Sequence, residues 1–166
     1  MNVTIAQVES SEDIEAVRVL LREYIDWAFT LTSEAPQAPT FQGIEEELAS
    51  LPGIYVPPAG RLLIAKIDGK VVGCVCLKKL DTETSEVKRL FLRPDARGHN
   101  VGQRLVDRLV TEARESGYRR IVLDSHISMT KAHAVYENTG FRRVKAPDDF
   151  PDEWKPVVVF MECDLT

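Results

Sequence analysis

Leu90-Phe91-Leu92-Arg93-Pro94-Asp95-Ala96-Arg97-Gly98-His99-Asn100-Val101-Gly102-Gln103-Arg104-Leu105 runs from an apolar strand through a tight polar loop into an amphipathic helix. A strand that turns directly into a helix leaves the first-turn N–H groups without carbonyl partners. The helix dipole adds partial positive charge at the same point. The junction therefore suits a phosphate group held mostly by backbone amides, with Arg97 as the charged side-chain donor. A phosphorylated cofactor is the expected ligand.

Periodicity extends the reading in both directions. Downstream, Val101, Leu105, Leu109 and Ala113 form one apolar helical face, and Gly117 closes the helix. Ile121-Val122-Leu123 then reads as a short buried strand, parallel to the first and reached by the helical crossover. Ser128 is placed to cap a helix running through Asn138, with Gly140 ending it; strands follow at Phe141 to Val144 and Val157 to Cys163. Upstream, Leu62 to Ile67 and Val71 to Leu77 flank Asp68-Gly69, a strong hairpin signal because both positions tolerate positive φ. Glu86 to Arg93 is the next strand. At the N-terminus, Val3 to Val8 alternates as a strand. Ser10 with Asp13 opens a helix whose apolar positions recur from Ile14 to Ala28, and Ile44 to Leu51 forms a shorter one. The order βααβββαβαββ predicts a mixed sheet with helices on both faces.

Bulk properties narrow the class. The chain has 166 residues, 44% of them hydrophobic, which fits one domain with one core. No apolar run approaches the roughly 20 residues that cross a bilayer, and the start lacks a signal-peptide pattern, so a cytoplasmic protein with no membrane partner is expected. A net charge of −5 argues against nucleic acid as the partner. Cys74, Cys76 and Cys163 make no disulfide framework, and the first two share one face of an apolar strand, as core residues do. His99, His126 and His133 show no ligand spacing, so no metal is expected. His133 is expected to face solvent.

A second motif, Ala132-His133-Ala134-Val135-Tyr136-Glu137-Asn138-Thr139-Gly140-Phe141, places an aromatic late in a short helix before Gly-Phe. Together with the strand–loop–helix at residues 86–109 it resembles the GNAT superfamily of acyl-CoA-dependent N-acetyltransferases. The match covers roughly residues 84–144, and the element order extends it to a single domain over residues 1–166. The family loop carries Arg or Gln, two residues, Gly, one residue, then Gly or Ala. Arg97 and Gly102 fit this pattern. Asn100 replaces the middle Gly, and Asn is the non-glycine residue that best tolerates left-handed backbone.

The resemblance implies acetyl-CoA as co-substrate and a largely antiparallel sheet splayed between two parallel strands. Leu90, Phe91 and Leu92 would lie along the pantetheine arm, with the backbone of Leu90 and Leu92 pairing to it. Arg97, Gly98, His99, Asn100, Val101, Gly102 and Gln103 would take the pyrophosphate, and Ser128 could touch the arm. The N–H near Leu90 would stabilise the oxyanion. Tyr136 would protonate the departing thiolate, and Glu86, four residues before Leu90, would act as base. Read without the family, Tyr136 is a core-facing tyrosine, Glu86 a solvated carboxylate and Arg97 a surface arginine.

The acceptor is open: peptide N-termini, lysines, polyamines, amino acids and drug-like amines all fit. Lys88, Arg89 and Arg93 suggest either a carboxylate-binding patch or a solvated sheet edge. Asp148, Asp149, Asp152 and Glu153 in the 145–156 loop suggest a cationic acceptor. The expected activity is acetyl transfer to a small-molecule or peptide primary amine by direct attack in a ternary complex; a homodimer is implied only by the family. The alternative is a non-catalytic acyl-CoA sensor or docking module on the same fold.

Overall fold

A computed structural model describes residues 2–96 and 98–166. Strands β1 (Val3–Gln7), β2 (Arg61–Ile67), β3 (Lys70–Lys79), β4 (Thr84–Leu92), β5 (Arg120–His126), β6 (Arg142–Val144) and β7 (Val158–Asp164) form one sheet in the order β1-β2-β3-β4-β5-β7-β6. Every neighbouring pair is antiparallel except β4 and β5, which are parallel. Helices α1 (Ser11–Leu31), α2 (Ile44–Ala49), α3 (Val101–Glu115) and α4 (Thr130–Thr139) complete the expected order.

Period-two alternation in the central strands builds two cores, one on each side of the sheet. Leu63, Ala65, Val75 and Leu77 pack with Leu105, Val106 and Leu109 of α3. Their alternates Leu62, Ile64, Cys74 and Cys76 pack with Val17, Leu20 and Leu21 of α1. Both strand cysteines are therefore core residues, and burial pushes the Cys74 thiol up to about 12. The hairpin forms as its dipeptide dictates, with φ of 49° at Asp68 and 83° at Gly69.

The Ser10 hydroxyl accepts from the Asp13 N–H at 3.0 Å and caps α1. Two short 3₁₀ turns, Ala35–Gln37 and Pro39–Phe41, follow where proline interrupts the helix.

Two local expectations fail at α4. Ser128 does not cap it: the helix starts at Thr130 behind Met129, and the Ser128 hydroxyl lies 2.7 Å from His126 Nδ1. Strand β5 continues through His126, so the turn is held by that imidazole and the helix begins one residue late. His133 is not solvent-exposed but 2% accessible, with Nε2 3.0 Å from Ser125 Oγ. The fully buried positions of α4 are His133 and Tyr136, spaced i, i+3.

Leu105 is completely buried at the centre of the α3-side core. Leu105→Ala is expected to cost about 2–5 kcal/mol of folding free energy in chemical denaturation.

Candidate active site

The parallel pair β4/β5 is joined by three residue pairs, Thr84↔Arg120, Ser85↔Ile121 and Glu86↔Val122. Beyond them the strands part. Strand β4 continues along β3 to Leu92, and β5 continues along β7 to His126. The β5-facing backbone edge of β4 past Glu86 has no ladder partner, although backbone groups inside a fold normally find one.

A bulge sits on this open stretch. Cys76 pairs with Lys88 and Cys74 with Phe91, so Arg89 and Leu90 together oppose Val75. Arg89 adopts φ +62°, uncommon for any residue but glycine. Its guanidinium, 2% exposed, donates from Nε to Glu47 Oε2 at 2.9 Å and from Nη2 to Oε1 at 3.2 Å. Nη1 reaches Thr40 Oγ1 at 3.3 Å, and the cation stands 5.9 Å from the centre of the Phe41 ring. The pair ties the 3₁₀ turns and α2 to the bulge. Burial alone would raise the Glu47 carboxyl, but hydrogen bonds and charge from Arg89 outweigh it and hold Glu47 below the usual carboxylate range.

At the start of α3, Gly98 has φ +86° and Asn100 φ +59°. Asparagine thus takes the left-handed geometry expected of it. The Arg104 N–H bonds to Asn100 C=O at 3.1 Å, so Gly102 and Gln103 lie ahead of that helical bond. A Cβ on Gly102 would stand 3.0 Å from Leu92 Cδ1, so any larger residue would press the Leu92 side chain aside where α3 meets β4. His99 and Val101 complete the loop, with Val101 buried. The Gln103 side chain is committed to Asp107 and Thr139, at 2.8 and 2.6 Å, and stitches α3 to α4. Arg97, named from the sequence as the phosphate donor, lies outside the described residues.

Beside the parting lies a cavity of about 100 Å³. Glu86, Lys88 and Leu90 of β4, Asp124 of β5 and Tyr136 of α4 all line it, so the two sequence-chosen catalytic candidates share one space. Tyr136 is 6% exposed, makes no side-chain hydrogen bond among the described residues, and packs its ring 5.6 Å from Phe141. Burial raises its pKa and keeps the phenol protonated. Burial also raises Glu86; Lys88 opposes this and Asp124 adds to it. Asp124 is raised by burial against the pull of Lys88 and Arg89. Phe91 points to the α1 side instead, 5.6 Å from Tyr24 and 6.2 Å from Trp27.

Neither reading of the basic patch holds. Arg89 is buried against Glu47, Arg93 bonds Glu23 at 2.9 Å, and Lys88 Nζ lies 3.9 Å from Glu86. The acidic loop also behaves unexpectedly: Asp148, Asp149, Asp152 and Glu153 are exposed while Phe150 and Trp154 line the cavity. Sequence reasoning missed Asp124, Glu47 and these two aromatics. Asp124 had a signal, since Asp124-Ser125-His126 is a polar run at the carboxyl end of a buried parallel strand, where ligands bind in such sheets.

A sheet opened between parallel strands, a helix start packed against β4 and a cavity lined by Glu86, Asp124 and Tyr136 beside the opening form an arrangement suited to an acyl-transfer enzyme. The chain belongs to the acetyltransferase (GNAT) family, which it matches over residues 20–141. An uncharacterized N-acetyltransferase of Schizosaccharomyces pombe is 29% identical over 167 residues, covering 99% of this chain and 96% of its own. The crystal structure of an acetyltransferase from Streptococcus agalactiae superposes with a TM-score of 0.73 at 26% identity, covering 98% of each chain. A PaiA N-acetyltransferase from Thermoplasma acidophilum, solved with coenzyme A, shares the fold with a TM-score of 0.72 at 19% identity, covering 99% of each chain.

Arg89→Ala would strand the Glu47 carboxylate and is expected to cost about 3–5 kcal/mol, whereas Arg89→Met with Glu47→Leu should recover most of that loss. Glu47 is held low in the fold, so the pair's contribution is complete above the ordinary carboxylate range and disappears as pH falls through the folded value. Urea melts of wild type and Arg89→Ala between pH 7 and pH 3 should therefore converge toward the acid end.

Proposed function

We propose that this protein is an acetyl-CoA-dependent N-acetyltransferase that acts on a primary amine by direct attack within a ternary complex. One observation carries the reading: Glu86 and Tyr136 line the same cavity, and that cavity opens where β4 leaves β5. In this reading the unpaired edge of β4 around Leu90 and Leu92 pairs with the pantetheine arm as a strand would. The amides from Gly98 to Gln103 face the pyrophosphate, and Arg97 adds its charge. The fold shared with a protein solved with coenzyme A supports this assignment.

The chemistry follows from the residues in the cavity. An acceptor amine with a pKa of about 10.4 arrives protonated. Glu86, raised by burial, is a stronger base than an ordinary carboxylate and takes that proton, directly or through water. The free amine forms the N–C bond at the thioester carbonyl, whose oxygen gathers charge beside the backbone N–H near Leu90. The C–S bond then breaks, the Tyr136 hydroxyl donates to the leaving sulfur, and the second proton that nitrogen sheds on becoming an amide returns through water to the tyrosine oxygen. A buried cysteine such as Cys74 is no acyl carrier, because its thiol is held protonated. Holding the two reactants together supplies the largest share of the rate, on the order of several kcal/mol.

Incubation with acetyl-CoA and an amine panel should release free thiol above the no-amine blank. Coenzyme A binding without turnover of any amine would favour a sensor instead. Tyr136→Phe is expected to lower kcat about 10²-fold while leaving the acetyl-CoA KM unchanged; an unaltered kcat removes Tyr136 from the reaction. Because Glu86 works ionised and its pKa is raised, the acid limb of kcat/KM should lie above the ordinary carboxylate value of about 4.3. Glu86→Gln should erase that limb.

A further inference from the structure

Donor recognition in the proposed reaction rests on backbone, but the acceptor side is a wall of side chains whose charges can be followed one by one. Asp124 lines the cavity and makes no hydrogen bond or ion pair among the described residues, and Glu86 has only Lys88 Nζ at 3.9 Å. Both carboxylates open onto the cavity with acceptor oxygens to spare, so a ligand that brings N–H groups can meet them. Tyr136, more than nine-tenths buried and likewise without a hydrogen bond among the described residues, lines the same space. These polar groups share one cavity wall.

The nearby cations are committed elsewhere. Arg89 forks onto Glu47 and Arg93 pairs with Glu23. Among the described residues that leaves Lys88 as the uncommitted lysine or arginine of the cavity wall, an excess of one negative charge when Glu86 and Asp124 are both ionised. Elsewhere the wall is largely carbon, including Leu31, Phe41, Phe150, Trp154 and Val158, with no further carboxylate. The acidic residues of the 145–156 loop add none, since Asp152 is 93% exposed and bonds Lys155 at 2.8 Å outside the cavity.

We propose that the acceptor is a small monoamine with an apolar, aromatic-sized body. Its ammonium seats on Glu86 and Asp124, and its body packs among Phe41, Phe150 and Trp154. The inference rests on the acetyltransferase reading of this same cavity. An acceptor carrying carboxylates would meet two of its own kind with Lys88 as the single counter-charge. A polyamine would leave its second ammonium among apolar side chains without a partner. Asp124 is here a specificity-determining residue, and Glu86 serves both recognition and proton transfer.

The test compares 2-phenylethylamine, aspartate and spermidine as acceptors by thiol release, with acetylated product confirmed by mass. The kcat/KM for 2-phenylethylamine is expected to exceed the other two by roughly tenfold or more. Asp124→Asn should raise its KM by about fivefold or more while leaving coenzyme A affinity unchanged in calorimetry. The same variant should weaken 2-phenylethylamine binding to the protein without coenzyme, a readout independent of turnover. Its Tm should not fall, because Asp124 has no partner to lose. Turnover of aspartate or spermidine at or above the level of 2-phenylethylamine overturns the acceptor class but leaves acetyl transfer standing. So does an unchanged KM in Asp124→Asn. No thiol release from any amine overturns both.

Discussion

Strands β4 and β5 are bound to each other at three residue pairs and then separate. Their outer edges stay paired, β4 with β3 on either side of the bulge and β5 with β7 along its whole length. The sheet is therefore two sub-sheets joined at a short seam, with unpaired main chain on the inner edge. Interior N–H and C=O groups without partners cost free energy, so closure of the gap is the cheaper default. What prevents closure is local. The two-for-one bulge at Arg89 and Leu90 bends β4, and the rings of Tyr24, Phe41 and Phe91 pack against the same stretch from the α1 side. The opening is built into the sheet's hydrogen-bond register rather than added by a loop.

Two kinds of charge in this region show how stability and chemistry are divided. The Arg89–Glu47 pair is desolvated and hydrogen-bonded along both edges of the fork, the arrangement in which a buried ion pair holds. It fixes α2 and the 3₁₀ turns against the bulge and leaves nothing for a ligand. Glu86 and Asp124 are the reverse: half-buried, raised in pKa, and short of donors. Local rules broken in one place, while surrounding groups are satisfied, mark where binding energy was given up for function.

Much of the architecture was legible in the sequence because it rests on short-range physics. The Asp68-Gly69 turn, the apolar stripe of α3 and the left-handed tolerance of Asn100 each depend on a few adjacent residues, and each formed as expected. Tyr136 and Glu86 were named through the family resemblance rather than by periodicity, and both line the cavity. The failures needed the third dimension. The late start of α4 depends on the His126 imidazole occupying the turn where Ser128 was expected to cap. The burial of His133 depends on which face of α4 meets the sheet, and a weakly amphipathic ten-residue helix does not declare it. An arginine at positive φ in mid-strand has no sequence signature, because the Glu47 that holds it lies 42 residues away.

The 145–156 loop shows why acceptor chemistry is harder to read than donor chemistry. Its charges dominate its composition, yet in the fold they point to water and its two aromatics supply the wall. The T-shaped stack of Phe150 on Phe160, with ring centroids 4.8 Å apart, anchors the loop to β7 and sets which side chains turn inward. Anchoring by one aromatic contact leaves the remaining positions free to vary without disturbing the strand edge or the helix start that would meet the donor. The cavity is thus assembled from α1, the 3₁₀ turns, β4, β5, α4 and this loop, while the junction proposed to meet the phosphates lies within one continuous segment. A site divided in this way can exchange its acceptor by changing side chains on the surrounding elements, and the main-chain geometry for the donor is unaffected.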